Sequence, residues 1–316
     1  MKENIKCLLC ERQAQIVETN YPGYQYPDTF SIYDCPHCNT QFSFPRIDAS
    51  GIYDFIYKNS DKVPGYDRYH RYYNQIKNVA NPLKYLANSE EAYWAVYEAL
   101  KAAKKQKSTT KILEVGCGMG YLTYALNNAG YNATGLDISH ESIKSATEYF
   151  GKHYICSDVF NYADKHKNEY DYIILTQVIE HVEKPVELLA ALVTMIKNDT
   201  GKIIVTTENK SLFPKTAVWQ TDYPPVHAWW FSEQSMMFIS NQLKTNITFI
   251  DFSKYRAFTR VRNITQVPYN KHTIGKNGEI LLPIINNNIL VRLIKKIPFA
   301  RWLFGKRDVM GIILTK

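Results

Sequence analysis

Three groups of residues in this chain have the types and spacing that chemistry needs. The first is Glu114-Val115-Gly116-Cys117-Gly118-Met119-Gly120, a carboxylate followed by glycines at alternate positions. Glycine allows a tight strand-to-helix turn and lets backbone N–H groups approach a ligand closely. Dinucleotide-binding loops carry G-x-G-x-x-G, whereas the spacing here is G-x-G-x-G after an acid. The second group is Cys7-x-x-Cys10 and Cys35-x-x-Cys38, with 24 residues between the pairs. Two tight turns that each present two thiolates match a tetrahedral zinc site, and a closed four-ligand site is structural. Redox dithiols or a disulfide framework are the competing readings, disfavoured because neither pair has a strand–helix setting. The third group is His181, beside Glu180, and His227, in the aromatic and proline-rich stretch Tyr223–Phe231. An imidazole titrates near neutral pH and can act as a base. His227 is the preferred base because its surroundings can exclude water, and His181 is the second candidate.

The elements that must position these groups can be read from periodicity. Apolar runs at 111–115, 132–138, 153–158, 170–177 and 201–207 read as strands, and amphipathic stretches at 122–129, 142–150 and 186–196 separate them as helices. Alternation of strand and helix argues for a mostly parallel sheet covered on both faces. Asp137 closes the second strand, 17 residues after Gly120. Doubly wound folds place there the acid that takes both ribose hydroxyls, a task that suits a carboxylate with two acceptor oxygens. Asp158 closes the third strand, and Gln177 the fourth. A sixth strand is expected at 245–252 and a last one at 308–315. Loops after the fourth and fifth strands converge on the ligand edge of such a sheet, which brings His181 and His227 there.

The sequence Glu114-x-Gly116-x-Gly118-x-Gly120, followed in order by Asp137, Asp158 and Gln177–Pro185, resembles class I S-adenosylmethionine (SAM) methyltransferases over 111–255. The resemblance implies a Rossmann-like, doubly wound, seven-stranded sheet with an antiparallel last strand. It implies that Glu114 and the loop residues Gly116, Cys117, Gly118 and Gly120 hold the methionine end of the cofactor, and that Asp137 and Ile138 hold the ribose. Asp158 and Val159 would face the adenine, with Gln177 on the remaining side. Paired cysteines with a Tyr-rich cap are similar to methyltransferases of sugar and small-metabolite pathways, including surface glycans. That similarity implies a hydroxyl acceptor. Glu180-His181 with a later His also resembles the metal-ligand arrangement of small-RNA 2′-O-methyltransferases and ubiquinone-pathway O-methyltransferases. A divalent cation at Glu180, His181 and His227 is the corresponding option, with Gln177 standing where that pattern has a first Glu, a weaker ligand for a hard cation. The rival functions are an RNA 2′-O-methyltransferase and a non-enzymatic zinc-ribbon scaffold. The intact acid and glycine set argues against the scaffold.

The expected organisation is a zinc module at 1–50, a Tyr-rich helical cap at 51–110 and a SAM domain at 111–316 with an insertion at 255–307. Nine tyrosines fall between Tyr53 and Tyr97, and most are expected to pack the cap. Tyr66, Arg68 and Tyr69 are candidates to close over a ligand. Ser89-Glu90-Glu91 is expected to cap the helix before 111. Cys117 and Cys156 are expected to pack inside the SAM domain. From Phe252 to Lys316 there are 13 Lys and Arg against Glu279 and Asp308, so this part can meet an anionic partner or simply be a solvated face. Within it, 291–304 mixes cations with large apolar residues and is a candidate contact with the inner face of a membrane. No apolar run is long enough to span one, and no signal-peptide core opens the chain. The expected location is the cytoplasm, the expected partner a small-molecule or glycan acceptor, and nucleic acid is not the favoured partner.

Overall fold

The computed structural model describes residues 5–63, 65–102, 106–212, 223–258, 272–281 and 309–316. The chain opens with an antiparallel meander of β1 (Gln15–Pro22), β2 (Thr29–Cys35) and β3 (Thr40–Phe44). Four helices follow: α1 (Ser50–Lys58), α2 (Asp67–Gln75), α3 (Pro82–Ser89) and α4 (Glu91–Lys101). Alternation then runs through β4 (Lys111–Val115), α5 (Tyr121–Asn128), β5 (Asn132–Asp137), α6 (His140–Phe150), β6 (Tyr154–Cys156), α7 (Val159–Ala163), β7 (Tyr172–Thr176), α8 (Pro185–Met195) and β8 (Lys202–Glu208). The chain closes with β9 (Trp229–Trp230), α9 (Glu233–Gln242), β10 (Asn246–Phe249), α10 (Ser253–Phe258) and β11 (Val309–Thr315).

Seven strands form one sheet in the order β10-β11-β8-β7-β4-β5-β6. β4, β5, β6, β7 and β8 run parallel, while β11 pairs antiparallel with both β8 and β10. This is the expected doubly wound sheet with an antiparallel last strand. Its central strands are buried on both faces, which is why they read as near-continuous apolar runs. Leu113, Ile173, Leu175, Ile203 and Val205 pack under α7, α8 and α9, whereas Ile112, Ile174 and Ile204 pack under α3, α4 and α5.

Two local expectations fail for identifiable reasons. Ser89 does not cap α4. It ends α3 and donates from Oγ to the Tyr85 carbonyl, while Glu90 precedes α4 without a side-chain cap and instead pairs with Arg68 and the Tyr72 hydroxyl. Cys156 is exposed, not packed, because β6 is the edge strand and its outer face is uncovered.

The sequence reading treats 223–231 as a loop, yet Trp229 and Trp230 form a strand that joins the N-terminal sheet. β9 pairs antiparallel with β3, Gln41 opposite Trp230 and Phe42 opposite Trp229. Thr40 Oγ1 donates to the Trp230 carbonyl at 3.2 Å, and Ser43 N–H donates to Ala228. Cys7, Cys35, Cys38 and Phe42 therefore belong to the same apolar core as Ile173, Val205 and Met236. Lys210, just past β8, completes the junction. Its ammonium meets Asp34 Oδ1 at 2.6 Å and Asn39 Oδ1 at 2.6 Å, with Lys210 and Asp34 only 5% and 7% exposed. The described part of the insertion, 272–281, also lies on this sheet. His272 Nδ1 is 2.9 Å from the Gly23 carbonyl, and Ile274 bridges Gln25. The segment 291–304 and the rest of 259–271 and 282–308 lie outside the described residues. Among the described residues no helix is long and apolar enough to cross a membrane.

Removing one member of a buried ion pair strands the other charge, at a cost of about 3–5 kcal/mol. Lys210→Ala should lose about that much stability in urea unfolding, and in one transition, because the junction is part of a common core. A loss below about 1 kcal/mol would show that the Asp34 pair does not hold the two sheets together.

Candidate functional site

The turn between β4 and α5 carries the glycine motif, and its spacing has a steric cause. Gly116, Gly118 and Gly120 all have positive φ, at 72°, 48° and 79°. A Cβ on Gly116 would come 2.6 Å from Val178 Cγ2, and one on Gly120 would come 2.6 Å from the Tyr154 ring and 2.7 Å from Ala146 Cβ. Substitution is therefore blocked twice, by conformation and by contact. Glu114, 3% exposed, accepts a hydrogen bond from Thr123 Oγ1 in α5, which clasps strand to helix. Burial pushes its carboxyl up to about 8.

Four N–H groups of the loop are already taken, which the glycine pattern alone does not suggest. Gly116 and Cys117 both donate to the Leu136 carbonyl, Gly118 donates to Asp137 Oδ2 at 2.8 Å, and Gly120 donates to Cys117. The other oxygen of Asp137 accepts from Ser139 N–H at 2.9 Å. Burial raises the Asp137 pKa even with these bonds in place. Asp158 caps α7, its Oδ1 accepting from Phe160 and Asn161 N–H at 2.9 and 3.1 Å. Gln177 sits in the left-handed region at φ 54°, with Nε2 buried and lacking a hydrogen-bond partner.

Glu114, Gly116, Cys117, Gly118, Asp137, Ile138, Asp158, Val159, Gln177 and His181 all border one cavity of about 1070 Å³. Gly120 lies behind the wall, shaping the start of α5. The cap closes the other side with Tyr53, Tyr57, Tyr66, Tyr69 and Tyr93. Burial raises all five hydroxyls above the usual tyrosine range, so they stay protonated. Of the three cap residues expected to close over a ligand, Tyr66 and Tyr69 border the cavity. Arg68 lies behind them, donating to the Tyr69 hydroxyl at 2.7 Å and pairing with Glu90 at 3.1 Å. Tyr53 and Tyr57 were not singled out from the sequence. Their four-residue spacing puts them on one face of α1, and Tyr57 reaches over Gly118.

The two histidines part company. His181 follows β7 and borders the cavity, with Nδ1 2.6 Å from the Val226 carbonyl. A carbonyl only accepts, so Nδ1 carries the hydrogen and Nε2 is the basic nitrogen. His227 does not border the cavity. It is 3% exposed, stacks on Trp230 at 5.1 Å and meets the His181 ring edge-on at 5.3 Å. Its Nε2 is 3.5 Å from Glu208 Oε2, and burial pulls its pKa down to about 3, so the ring is neutral. The residues named for a divalent cation, Glu180, His181 and His227, do not bring three ligand atoms together. Among the described residues only Cys7, Cys10, Cys35 and Cys38 do so, all four sulfurs lying within 4.8 Å of one another.

Those four cysteines are free thiols, with Cys7 and Cys38 sulfurs 3.7 Å apart and those of Cys10 and Cys35 3.4 Å apart. The hydrogen bond from Cys38 draws Cys7 down to about 5, while burial pushes Cys10 up to about 11. Leu9 N–H also donates to Cys7 Sγ at 3.4 Å. Convergent, buried thiols with backbone donors on sulfur fit a tetrahedral ion.

The family profile described as a methyltransferase domain matches residues 89–251, just over half of the 316-residue chain. The ubiquinone biosynthesis O-methyltransferase of Yersinia enterocolitica is 30% identical over 106 residues, 32% of this chain and 43% of that protein. Its counterpart from Shewanella pealeana is 30% identical over 107 residues, 32% and 45% of the two chains. The chain thus spans less than half the length of the curated relatives it matches. A SAM-dependent methyltransferase from Archaeoglobus fulgidus overlays on 71% of this chain and 94% of its own, with 17% identity and a TM-score of 0.44. That score is too low to add to a fold assignment that rests on strand order and direction. With the matched span covering β4 to β10 and the acid-and-glycine turn inside it, the chain belongs to the class I SAM-dependent methyltransferase family.

Proposed function

We propose that the chain transfers a methyl group from SAM to a hydroxyl of a sugar or related small metabolite, with His181 as the base. The observation that carries this reading is the position of His181, lining the same cavity as Glu114 and Asp137, with its tautomer fixed by Val226. The names of the relatives, both O-methyltransferases, favour an oxygen acceptor. A sugar acceptor and a place in surface-glycan synthesis come from the resemblance read in the sequence. The cavity, about 1070 Å³, is at the upper end of the roughly 300–1,000 Å³ of small-molecule sites, enough for a cofactor and a small acceptor together.

Bound there, SAM would supply an activated methyl group on a positively charged sulfur. Glu114 would face the methionine end, Asp137 the ribose hydroxyls with Ile138 beside it, and Asp158 and Val159 the adenine. The unpartnered Gln177 Nε2 has hydrogen-bond donors for the same ligand. Tyr57, Tyr66 and Tyr69 would exclude water, and His181 Nε2 would take the acceptor's proton as the methyl arrives. His227 was the favoured base from sequence. Its burial, its low basicity and its place outside the cavity lining suit it better to hold the His181 ring in place. The module at 1–50 would hold one zinc ion through Cys7, Cys10, Cys35 and Cys38 and serve as a structural wall of the cavity, with the cap at 51–110 as its roof over the domain at 111–316.

A screen with methyl-labelled SAM over nucleotide sugars, envelope extracts and RNA identifies the acceptor. On that acceptor, His181→Ala should lower kcat by ~10²-fold or more and leave SAM affinity nearly intact. Full kcat in His181→Ala would remove it as the base.

Glu114 gives a pH-dependent prediction. In the folded protein it holds its proton up to about pH 8, against 4.5 for an ordinary glutamate. The ligand-free fold therefore loses stability as pH rises from 4.5 through about 8, where the folded state binds more protons than the unfolded one. A cationic ligand end beside Glu114 favours its charged form. SAM binding at pH 7 should then release close to one proton, measured by calorimetry in buffers of different ionisation enthalpy. Glu114→Gln should abolish the release. Equal heats in all buffers for the wild type would separate Glu114 from the cofactor.

Elemental analysis should find one zinc per chain, and Cys35→Ser should lower the melting temperature of the whole chain, because Cys35 lies in the common core. A purified protein without zinc and with four titratable thiols in the module would overturn the assignment.

A further inference from the structure

Arg46 belongs to no motif, yet it is the most anomalous cation in the cavity wall. It follows the end of β3 by two residues and borders the cavity beside Ser43, His181 and Val182. Its Nε, Nη1 and Nη2 are all shielded from solvent, and none has a hydrogen-bond partner. The other buried cations of the region are treated differently: Arg68 has Glu90 and Tyr69, and Lys210 has Asp34 and Asn39. A shielded guanidinium without acceptors is costly to fold. Part of that cost is offset by Trp229, whose indole lies under the guanidinium with Cζ 4.2 Å from the ring centroid. Trp229 cannot swing away, since its Nε1 donates to the Val182 carbonyl at 2.8 Å. The acids in the same wall do not satisfy Arg46. Glu183 is exposed and acts on it only at a distance, and the Asp48 carboxylate accepts from Ser50 N–H and Oγ. Burial draws the Arg46 pKa down to about 10, so it remains a cation at neutral pH.

We propose that Arg46 is a specificity residue that binds an anionic group, carboxylate or phosphate, on the acceptor. A guanidinium fork matches two oxygens of either group, and its orientation is fixed in advance by the indole beneath it. Lys184, exposed at the rim of the same cavity, adds positive charge toward the entrance. The proposal rests on the reading that this cavity receives an acceptor. It narrows the acceptor from any hydroxyl compound to one that also carries an oxyanion.

Binding can be measured without turnover. The full chain, saturated with S-adenosylhomocysteine, is titrated at low salt with inorganic pyrophosphate and, separately, with malonate. At least one should bind saturably at a single site, and the preferred one distinguishes phosphate from carboxylate. Arg46→Met keeps the apolar stem over Trp229 and should weaken that binding by about tenfold or more. Arg46→Lys, which keeps charge without the fork, should fall between. S-adenosylhomocysteine affinity should not change, and the melting temperature of Arg46→Met should equal or exceed that of the wild type. The proposal is overturned if neither anion binds the wild type, if Arg46→Met binds as the wild type does, if the variant loses S-adenosylhomocysteine affinity in parallel, or if it melts well below the wild type. Failure to find methyl transfer to oxygen would count against the base assignment alone, since the anion titration needs no reaction.

Discussion

The arrangement of the site depends on two consecutive tryptophans that cross from one sheet to another. Trp229 and Trp230 pair with β3, and this short ladder fixes the cysteine module against the catalytic domain. Trp229 also anchors Val182 through its indole nitrogen and carries Arg46 on its face, while Trp230 stacks on His227, which in turn touches His181. One two-residue strand therefore sets the position of the candidate base, of its neighbour and of the cation in the wall. The backbone bond from Ala228 N–H to the Glu180 carbonyl closes the same ring of contacts. A cysteine cluster far from any reacting atom is thus mechanically continuous with the acceptor side of the cavity.

The cap extends the same logic to water. Tyrosines bury a large apolar body and keep one polar tip, so a roof built of them excludes solvent yet keeps neutral hydroxyls available along the wall. Arg68 gives that roof rigidity by tying Tyr69 to Glu90, itself bonded to Tyr72. The roof tyrosines and Arg46 come from segments that precede β4, whereas His181 and Val182 follow β7. The cavity is in this way lined from different stretches of sequence.

The parallel sheet and its covering helices were legible because their signals are local: apolar runs of five to eight residues, amphipathic intervals and glycines that only a tight turn requires. The cysteine pairs were legible for a similar reason, since two residues per turn can be read without knowing the partner turn. What stayed hidden depends on distant pairing. Trp229 and Trp230 make too short a run to show a period, and only β3 makes them a strand. His227 looked like a base because a histidine in an aromatic loop has the right chemistry, but its burial is decided by Trp230 and Glu208. Ser89 matched a capping pattern until α3 extended to include it, and Arg46 carried no pattern because its meaning lies in the partners it lacks.

The glycine turn has a further implication for ligand choice. In a dinucleotide site the turn attracts phosphate because its N–H groups point outward with nothing to hold. Here the N–H groups of Gly116, Cys117, Gly118 and Gly120 are committed to Leu136, Asp137 and Cys117, and a carboxyl stands behind them at Glu114. The same strand–turn–helix geometry is thereby converted from an electropositive nest into a neutral-to-negative one. A pyrophosphate arriving at this turn would find those N–H donors already committed and an acid nearby, whereas a ligand bearing positive charge would find the acid favourable. The charge character of the turn is thus set by where a few backbone hydrogen bonds go and by the two carboxyls, Glu114 and Asp137, beside them.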